Sequence, residues 1–316
     1  MYGVDKGIGP LAGAVTLDRG DLIHPFQIEG VEVRGRLVRL APSIDHILKS
    51  HNYPDAVSTL LGEALALVAA LGGMLKFEGM LTLQTKGDGP ISMLLADWRT
   101  GGDLRGYASF DAARLATVLA TGPATLDRLL GQGYLAFTID QGADMERYQG
   151  IVSIEGTSLA EAAERYFGQS EQIHASFRLA AGKREGRWRA SCLMIQRLPQ
   201  QSPIGAPPSP KDVEREDAWN RANLLIATVG ETELLEPALE ANMLLYRLFH
   251  EDGVRVYTPL PVQARCRCDA ERVRTVLRSF GAEELADMTI DGRISVTCEF
   301  CSAGYEFSAE AVQISP

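Results

Sequence analysis

Four cysteines near the C-terminal end constrain this chain more than any other feature. Cys266 and Cys268 form one pair, and after 29 intervening residues Cys298 and Cys301 form another. A segment of roughly 55 residues has little apolar volume with which to build a core. Ligands for a metal ion can supply what burial cannot. In an extended segment residues i and i+2 point to one side, so Cys266 and Cys268 can turn both sulfurs to one ion. Arg293 to Thr297 and Tyr305 to Ser308 read as strands, which puts Cys298-Glu299-Phe300-Cys301 at a hairpin tip, the usual position of a zinc knuckle. Four thiolates with no spare ligand predict one closed, tetrahedral Zn2+ site per chain, not a catalytic site with an open position. The alternative is four unrelated buried cysteines, but such pairing within a short segment is rare by chance. Between the pairs, Asp269 is placed to cap a helix carrying Val273, Val276, Leu277 and Phe280 as one stripe, with Gly281 suited to the C′ position. A short helix over 282–288 then leads to the Asp291-Gly292 turn.

The whole chain, 316 residues, is longer than one compact core usually holds. The expected class is α+β: an N-terminal sheet-and-helix domain over 1–199, a proline-rich connector and helical linker over 200–260, and a small zinc-binding domain over 261–316. A net charge of −10 argues against a polyanion-binding surface. The longest apolar run, Ala64 to Leu75, falls short of the roughly 18 residues a membrane span needs and reads as a buried core helix. The N-terminus is a poor signal peptide, and reduced thiols suit the cytoplasm, which is the expected location.

Along the first domain, Val31 to Leu40 alternates as a strand, Pro42 to Lys49 reads as a helix, and Pro54 to Phe77 as a second, buried one. Met80 to Gln84 and Ile91 to Ala96 flank a turn at Lys86-Gly87-Asp88-Gly89. Further strands are expected at Arg105 to Phe110, Tyr134 to Asp140, Tyr148 to Ile154, His174 to Leu179 and Arg187 to Leu198, with helices at Asp111 to Leu119 and Ser158 to Phe167. Pro199 to Pro210 holds five prolines and no charge and reads as an extended connector. Ser209-Pro210 then starts a helix to Val229, and a second runs from Glu233 to His250.

These segments carry a resemblance. Cys-x-Cys and Cys-x-x-Cys, the latter within VTCEFC and followed by YEF, resemble the redox-switch domain of the 33-kDa heat-shock protein family, the redox-regulated holdase chaperones of bacteria. LLYRLFHEDGVRVY (244–257), LLGEALAL (60–67), LKFEG (75–79), LTLQTKGDGP (81–90) and LRGYASF (104–110) extend the similarity over nearly the whole chain. The resemblance implies an ATP-independent chaperone, not an enzyme, that is largely inactive when reduced with Zn2+ on Cys266, Cys268, Cys298 and Cys301. Oxidation, with peroxide or hypochlorite, forms Cys266–Cys268 and Cys298–Cys301 disulfides, the metal is lost and the linker, roughly Lys211 to Leu260, unfolds. Partners are unfolding client proteins, a second copy in an active homodimer, and the seventy-kilodalton heat-shock chaperone system downstream. No motif identifies client-binding residues. Disulfides within each pair close such small rings that they add little loop-closure stability, so oxidation is expected to unfold the small module. Two features depart from the family pattern: the long uncharged insert at 199–210, and Cys192, expected to be a buried, inert thiol.

Other signals are weaker. Arg19-Gly20-Asp21 reads as a turn, Gly87-Asp88-Gly89 as a hairpin tip without the strand–helix setting of a phosphate loop, and His46 with His51 as two unrelated histidines. His250 is expected at the surface near the end of its helix. A zinc-bearing nucleic-acid binder is disfavoured because residues 261–316 carry six arginines against nine acids, a net −3. A disulfide oxidoreductase is disfavoured because its Cys-x-x-Cys belongs at a helix N-terminus, not between strands.

Overall fold

The computed structural model describes residues 20–142, 145–198 and 210–309. Its first element, β1 (Leu22–Ile28), was not anticipated from the sequence because Pro25 interrupts it. The proline is tolerated where β1 lies between two partners on its outer edge: the later strands reach residues 22–23 and 26–28 and skip Pro25, whose missing N–H is therefore not needed. β2 (Val33–Leu40), α1 (Pro42–Lys49) and α2 (Asp55–Gly72) follow. α2 ends five residues before the expected Phe77, at a Gly72-Gly73 pair. Gly72 is required there: a Cβ would lie 2.3 Å from the Trp98 indole.

Next come β3 (Met80–Gly87), β4 (Ile91–Arg99), β5 (Asp103–Phe110), α3 (Ala112–Ala120), a short α4 (Leu126–Leu130), β6 (Gly133–Asp140), β7 (Tyr148–Ser153), α5 (Leu159–Gln169), β8 (Ala175–Arg184) and β9 (Arg187–Arg197). Asp111 and Ser158 cap α3 and α5 through their side chains. The 87–89 segment is a hairpin turn, with Asp88 Oδ1 accepting from the Gln132 amide. Residues 199–209 of the proline-rich connector and Arg19 lie outside the described residues.

The linker holds α6 (Pro210–Ala227), α7 (Glu231–Leu235) and α8 (Ala241–Phe249). The expected single helix over 233–250 is thus two, because Pro237 cannot continue α7. His250 is exposed at the C-cap of α8, as expected. Three short strands lead from the linker into the C-terminal module: β10 (Val254–Val256), β11 (Leu260–Pro261) and β12 (Gln263–Ala264). The C-terminal module contains α9 (Ala270–Leu277), α10 (Ala282–Asp287), β13 (Thr289–Ile290), β14 (Arg293–Thr297) and β15 (Gly304–Ser308).

Two sheets sandwich α2. One has the order β10-β1-β2-β9-β8, with β11 also on β1; the other is β12-β5-β4-β3-β6-β7. α2 packs on β8 and β9 of the first and on β4 and β5 of the second, which explains why its apolar residues nearly encircle it. It is the one described helix long and apolar enough to cross a bilayer, and it is buried in this core. The first sheet is apolar on both faces. Val38, Leu40, Ala190, Cys192 and Met194 face α2, whereas Phe26, Ile28, Val33, Leu37, Leu193 and Ile195 face outward. α6, α7 and α8 cover that outer face with Trp219, Ile226, Leu234, Leu235, Leu244, Leu245 and Phe249. Cys192 is fully buried, and burial pushes its thiol up, as befits an inert core residue.

Candidate metal centre

The structure brings all four cysteines together: their sulfurs lie within 4.8 Å of one another. Cys298 and Cys301 sit on the tight turn between β14 and β15, which pair antiparallel from Arg293–Ser308 to Thr297–Gly304. The Cys298 amide donates to the Ala303 carbonyl, the Ser302 amide donates to the Cys298 carbonyl, and Ser302 takes φ +57° to turn the chain. Cys266 and Cys268 arrive directly from β12. Two sulfur contacts run between the motifs, Cys266–Cys298 at 3.7 Å and Cys268–Cys301 at 3.3 Å. Four thiolates at about 2.3 Å from a tetrahedral zinc stand about 3.8 Å apart, so this spacing fits that ion.

The electrostatics agree. Burial works against the Cys266 thiolate, but hydrogen bonds from the Cys268 amide and the neighbouring thiols outweigh it and bring Cys266 down to about 7. Burial and the adjoining sulfurs push Cys298 and Cys301 up. The Tyr305 hydroxyl donates to Cys268 Sγ at 3.1 Å, and that bond pushes the phenol up to about 12. The cluster therefore accepts one negative charge readily and resists the next, a conflict that a divalent cation removes. Arg99, Arg105, Arg267 and Arg272, with Met80, wall a cleft of about 470 Å³ that opens beside Cys268.

The remainder of the module is a small shell. Leu277, Leu285, Ile294 and Phe307 are its buried residues. Asp269 caps α9 as expected, its carboxylate accepting from the Arg272 amide. The expected apolar stripe is only partly buried: Leu277 packs inward, but Val276 and Phe280 stay exposed because the module offers no second layer to cover them. Gly281 does not take a left-handed C′ conformation; with φ −70° it is the N-cap of α10, and its amide donates to Glu284. Asp291 and Gly292, both with positive φ, form the turn before β14.

The residues between the cysteines dock this module on the core. Arg267 reaches Asp97 of β4, a carboxylate only 4% exposed. Asp97 is aligned with Thr82 on β3 and Arg105 on β5, and accepts from Thr82 Oγ1 at 2.7 Å and Arg105 Nε at 2.8 Å. The Arg105 guanidinium lies 3.7 Å over the Phe300 ring. Phe300 also meets Tyr107, whose hydroxyl faces Glu299 at 3.5 Å. His51 stacks on Tyr53 and contacts the Phe300 carbonyl at 3.1 Å through Nε2. His46 stays exposed and apart, so the two histidines share no site. Sequence reasoning did not single out Asp97, Arg105, Tyr107 or this role of His51. One signal was available: Asp97 interrupts the apolar run Leu94-Leu95-Ala96-Asp97-Trp98, and an acid so placed needs a cationic partner.

Comparison with known proteins places these features in context. Residues 21–308 match the family described as Hsp33 protein. The 33 kDa chaperonin of Caulobacter vibrioides (strain NA1000 / CB15N) is 45% identical over 295 residues, covering 90% of this chain and 94% of its own length. That of Ectopseudomonas mendocina (strain ymp) is 37% identical over 291 residues, covering 92% of each. The crystal structure of the heat shock protein 33 homolog from Thermotoga maritima shares the fold, with a TM-score of 0.76 at 21% identity over 93% of this chain and 97% of that one.

Proposed function

The chain belongs to the Hsp33 family, and from that premise we propose how its four thiols govern the surface that the linker covers. It is a redox-regulated, ATP-independent chaperone, a binding protein for client polypeptides and not an enzyme. In the reduced state Cys266, Cys268, Cys298 and Cys301 are the ligands of one Zn2+. Zinc, when bound, clamps four thiolates that otherwise repel one another. Oxidation by peroxide takes two electrons from each thiolate pair, forming one S–S bond and breaking the O–O bond, and two protons from solvent complete the two waters. We assign the bonds as Cys266–Cys268 and Cys298–Cys301, the pairing the family resemblance implies. Once they form, the ligands are consumed and the metal site is lost.

The observation that carries this reading is the four-sulfur cluster itself, joined to the linker through residues 261–265 alone. With so small an apolar shell, the module depends on its metal, and its loss frees residues 211–260 to unfold. That uncovers the outer face of the first sheet, from Phe26 to Ile195, as an apolar surface for clients. The boundaries 1–199, 200–260 and 261–316 separate core, linker and switch in this scheme. The active form is a homodimer that passes clients to the seventy-kilodalton heat-shock system, and the reducing compartment the thiols require is the cytoplasm.

The test is aggregation of a heat-denatured client by light scattering, with reduced zinc-loaded and peroxide-oxidised protein. Suppression only after oxidation, reversed by thiol reductant, is expected; equal suppression in both states assigns the metal a purely structural role. Peptide mapping of the oxidised chain decides the pairing, since Cys266–Cys298 and Cys268–Cys301 bonds are also within reach.

A further inference from the structure

Residues 253–265 form a strap that closes one edge of each sheet. The Glu29 amide donates to the Gly253 carbonyl at 2.8 Å, β10 pairs antiparallel with residues 26–28 of β1, and the Tyr257 amide donates to the Pro25 carbonyl at 2.9 Å. β11 pairs with Leu22 and Ile23, and the Val262 amide donates to the Asp21 carbonyl at 2.9 Å. Immediately beyond, the strap crosses to the second sheet. β12 pairs parallel with β5, and the Gln263 and Arg265 amides donate to the Gly102 and Leu104 carbonyls at 2.9 and 3.0 Å. The two edges are thus neighbours, bridged in three residues.

The strap is held by its backbone and by surface side-chain bonds, from Arg255 to Glu29, Tyr257 to Gln27, and Gln263 and Arg265 to Asp103, which as exposed pairs add little. Val256, Tyr257 and Leu260 are 40%, 45% and 40% exposed, whereas Val262, at 6%, is its buried apolar anchor. Gly102, at φ +92°, fits this arrangement: a Cβ there would stand 2.2 Å from the Pro261 carbonyl oxygen, so glycine leaves room for a second main chain. A groove that grips backbone and one apolar side chain reads little sequence.

We propose that these edges, the outer edge of β1 and that of β5, are a client-binding site that takes extended, unfolded polypeptide as an added strand once the strap departs. The inference rests on the redox reading above and names the surface involved. A freed sheet edge presents unpaired N–H and C=O groups and templates further pairing. The peptide backbone is common to all clients, which suits a chaperone without sequence preference. β1 also contributes Phe26 and Ile28 to the outer apolar face, so one bound segment can pair at the edge and bury side chains beside it.

The test uses oxidised full-length protein and a fluorescent peptide of residues 253–265, with a second peptide N-methylated at Tyr257, Val262, Gln263 and Arg265 to remove the donors the strap uses. The unmodified peptide is expected to bind by anisotropy, to displace an unfolded client, and to bind at least tenfold more tightly than the methylated one, a difference on the order of 1.4 kcal/mol. Exchange at the Glu29 amide, protected in the reduced state, is expected to become fast on oxidation and slow again with client. Equal binding of the two peptides, no binding of either, or a Glu29 amide that stays unprotected with client bound overturns the proposal. If the oxidised protein suppresses no aggregation, the redox reading fails, and the anisotropy arm still judges the edges.

Discussion

The sandwiched core and the C-terminal module solve the same folding problem by different means. The core closes around α2, whose Leu61, Leu65 and Val68 are fully buried between the two sheets. The module buries four apolar side chains and leaves Val276, Phe280 and Ile290 in water. Apolar burial is insensitive to oxidants; thiol ligation is not. The chain has therefore placed its chemical sensitivity where burial contributes least, and its robustness where no oxidant reaches.

The sharpest way to break the comparison is to remove a ligand. Cys298→Ser, or chelation of the metal, is expected to unfold the module and leave the core intact, because metal ligation contributes on the order of 10–16 kcal/mol to small zinc modules. Amide exchange should become fast in β14 and β15 and stay slow in β3 and β4. Next, Leu65→Ala is expected to cost about 2–5 kcal/mol in both redox states. Leu277→Ala should lower stability only in the reduced state, where the module is folded. Thermal melts of the four samples check this asymmetry.

Arg39 tests the linker that joins the two regions. From β2 its guanidinium donates to the main-chain carbonyls of Glu233, Glu236 and Leu239. Arg39→Met is expected to loosen the linker by about 1–3 kcal/mol, seen as apolar-dye binding in reduced protein. An effect of similar size concerns Glu63 on α2. Burial, with Glu231 at the start of α7 nearby, pushes its carboxyl up to about 7. The folded protein then holds a proton that the unfolded chain has lost, so this group's stabilising contribution falls as pH rises from about 4.5 to about 7. Glu63→Gln should flatten that decline, worth about 1–3 kcal/mol, in urea melts across the window.

Much of this was legible in residues. The hairpin tip was readable from the strands that flank Cys298 and Cys301, and the central helix from the run around Ala64. What was not legible depended on partners distant in sequence. β1 was hidden by Pro25, which is acceptable only because of where residues 254–261 happen to pair. The stripe on α9 had the right spacing, but periodicity does not reveal that nothing covers Val276. The docking of Arg267 on Asp97 joins positions that only the folded sheet brings together, and no local pattern encodes it beyond an acid stranded among apolar neighbours.

That carboxylate has one more consequence. Asp97 holds Arg267 from the first cysteine motif directly, and holds Phe300 from the second through Arg105. Each motif is tethered to the same point, by a separate route. In the language of circuits the two motifs are wired in parallel to one terminal, so loss of that single carboxylate disconnects both at once.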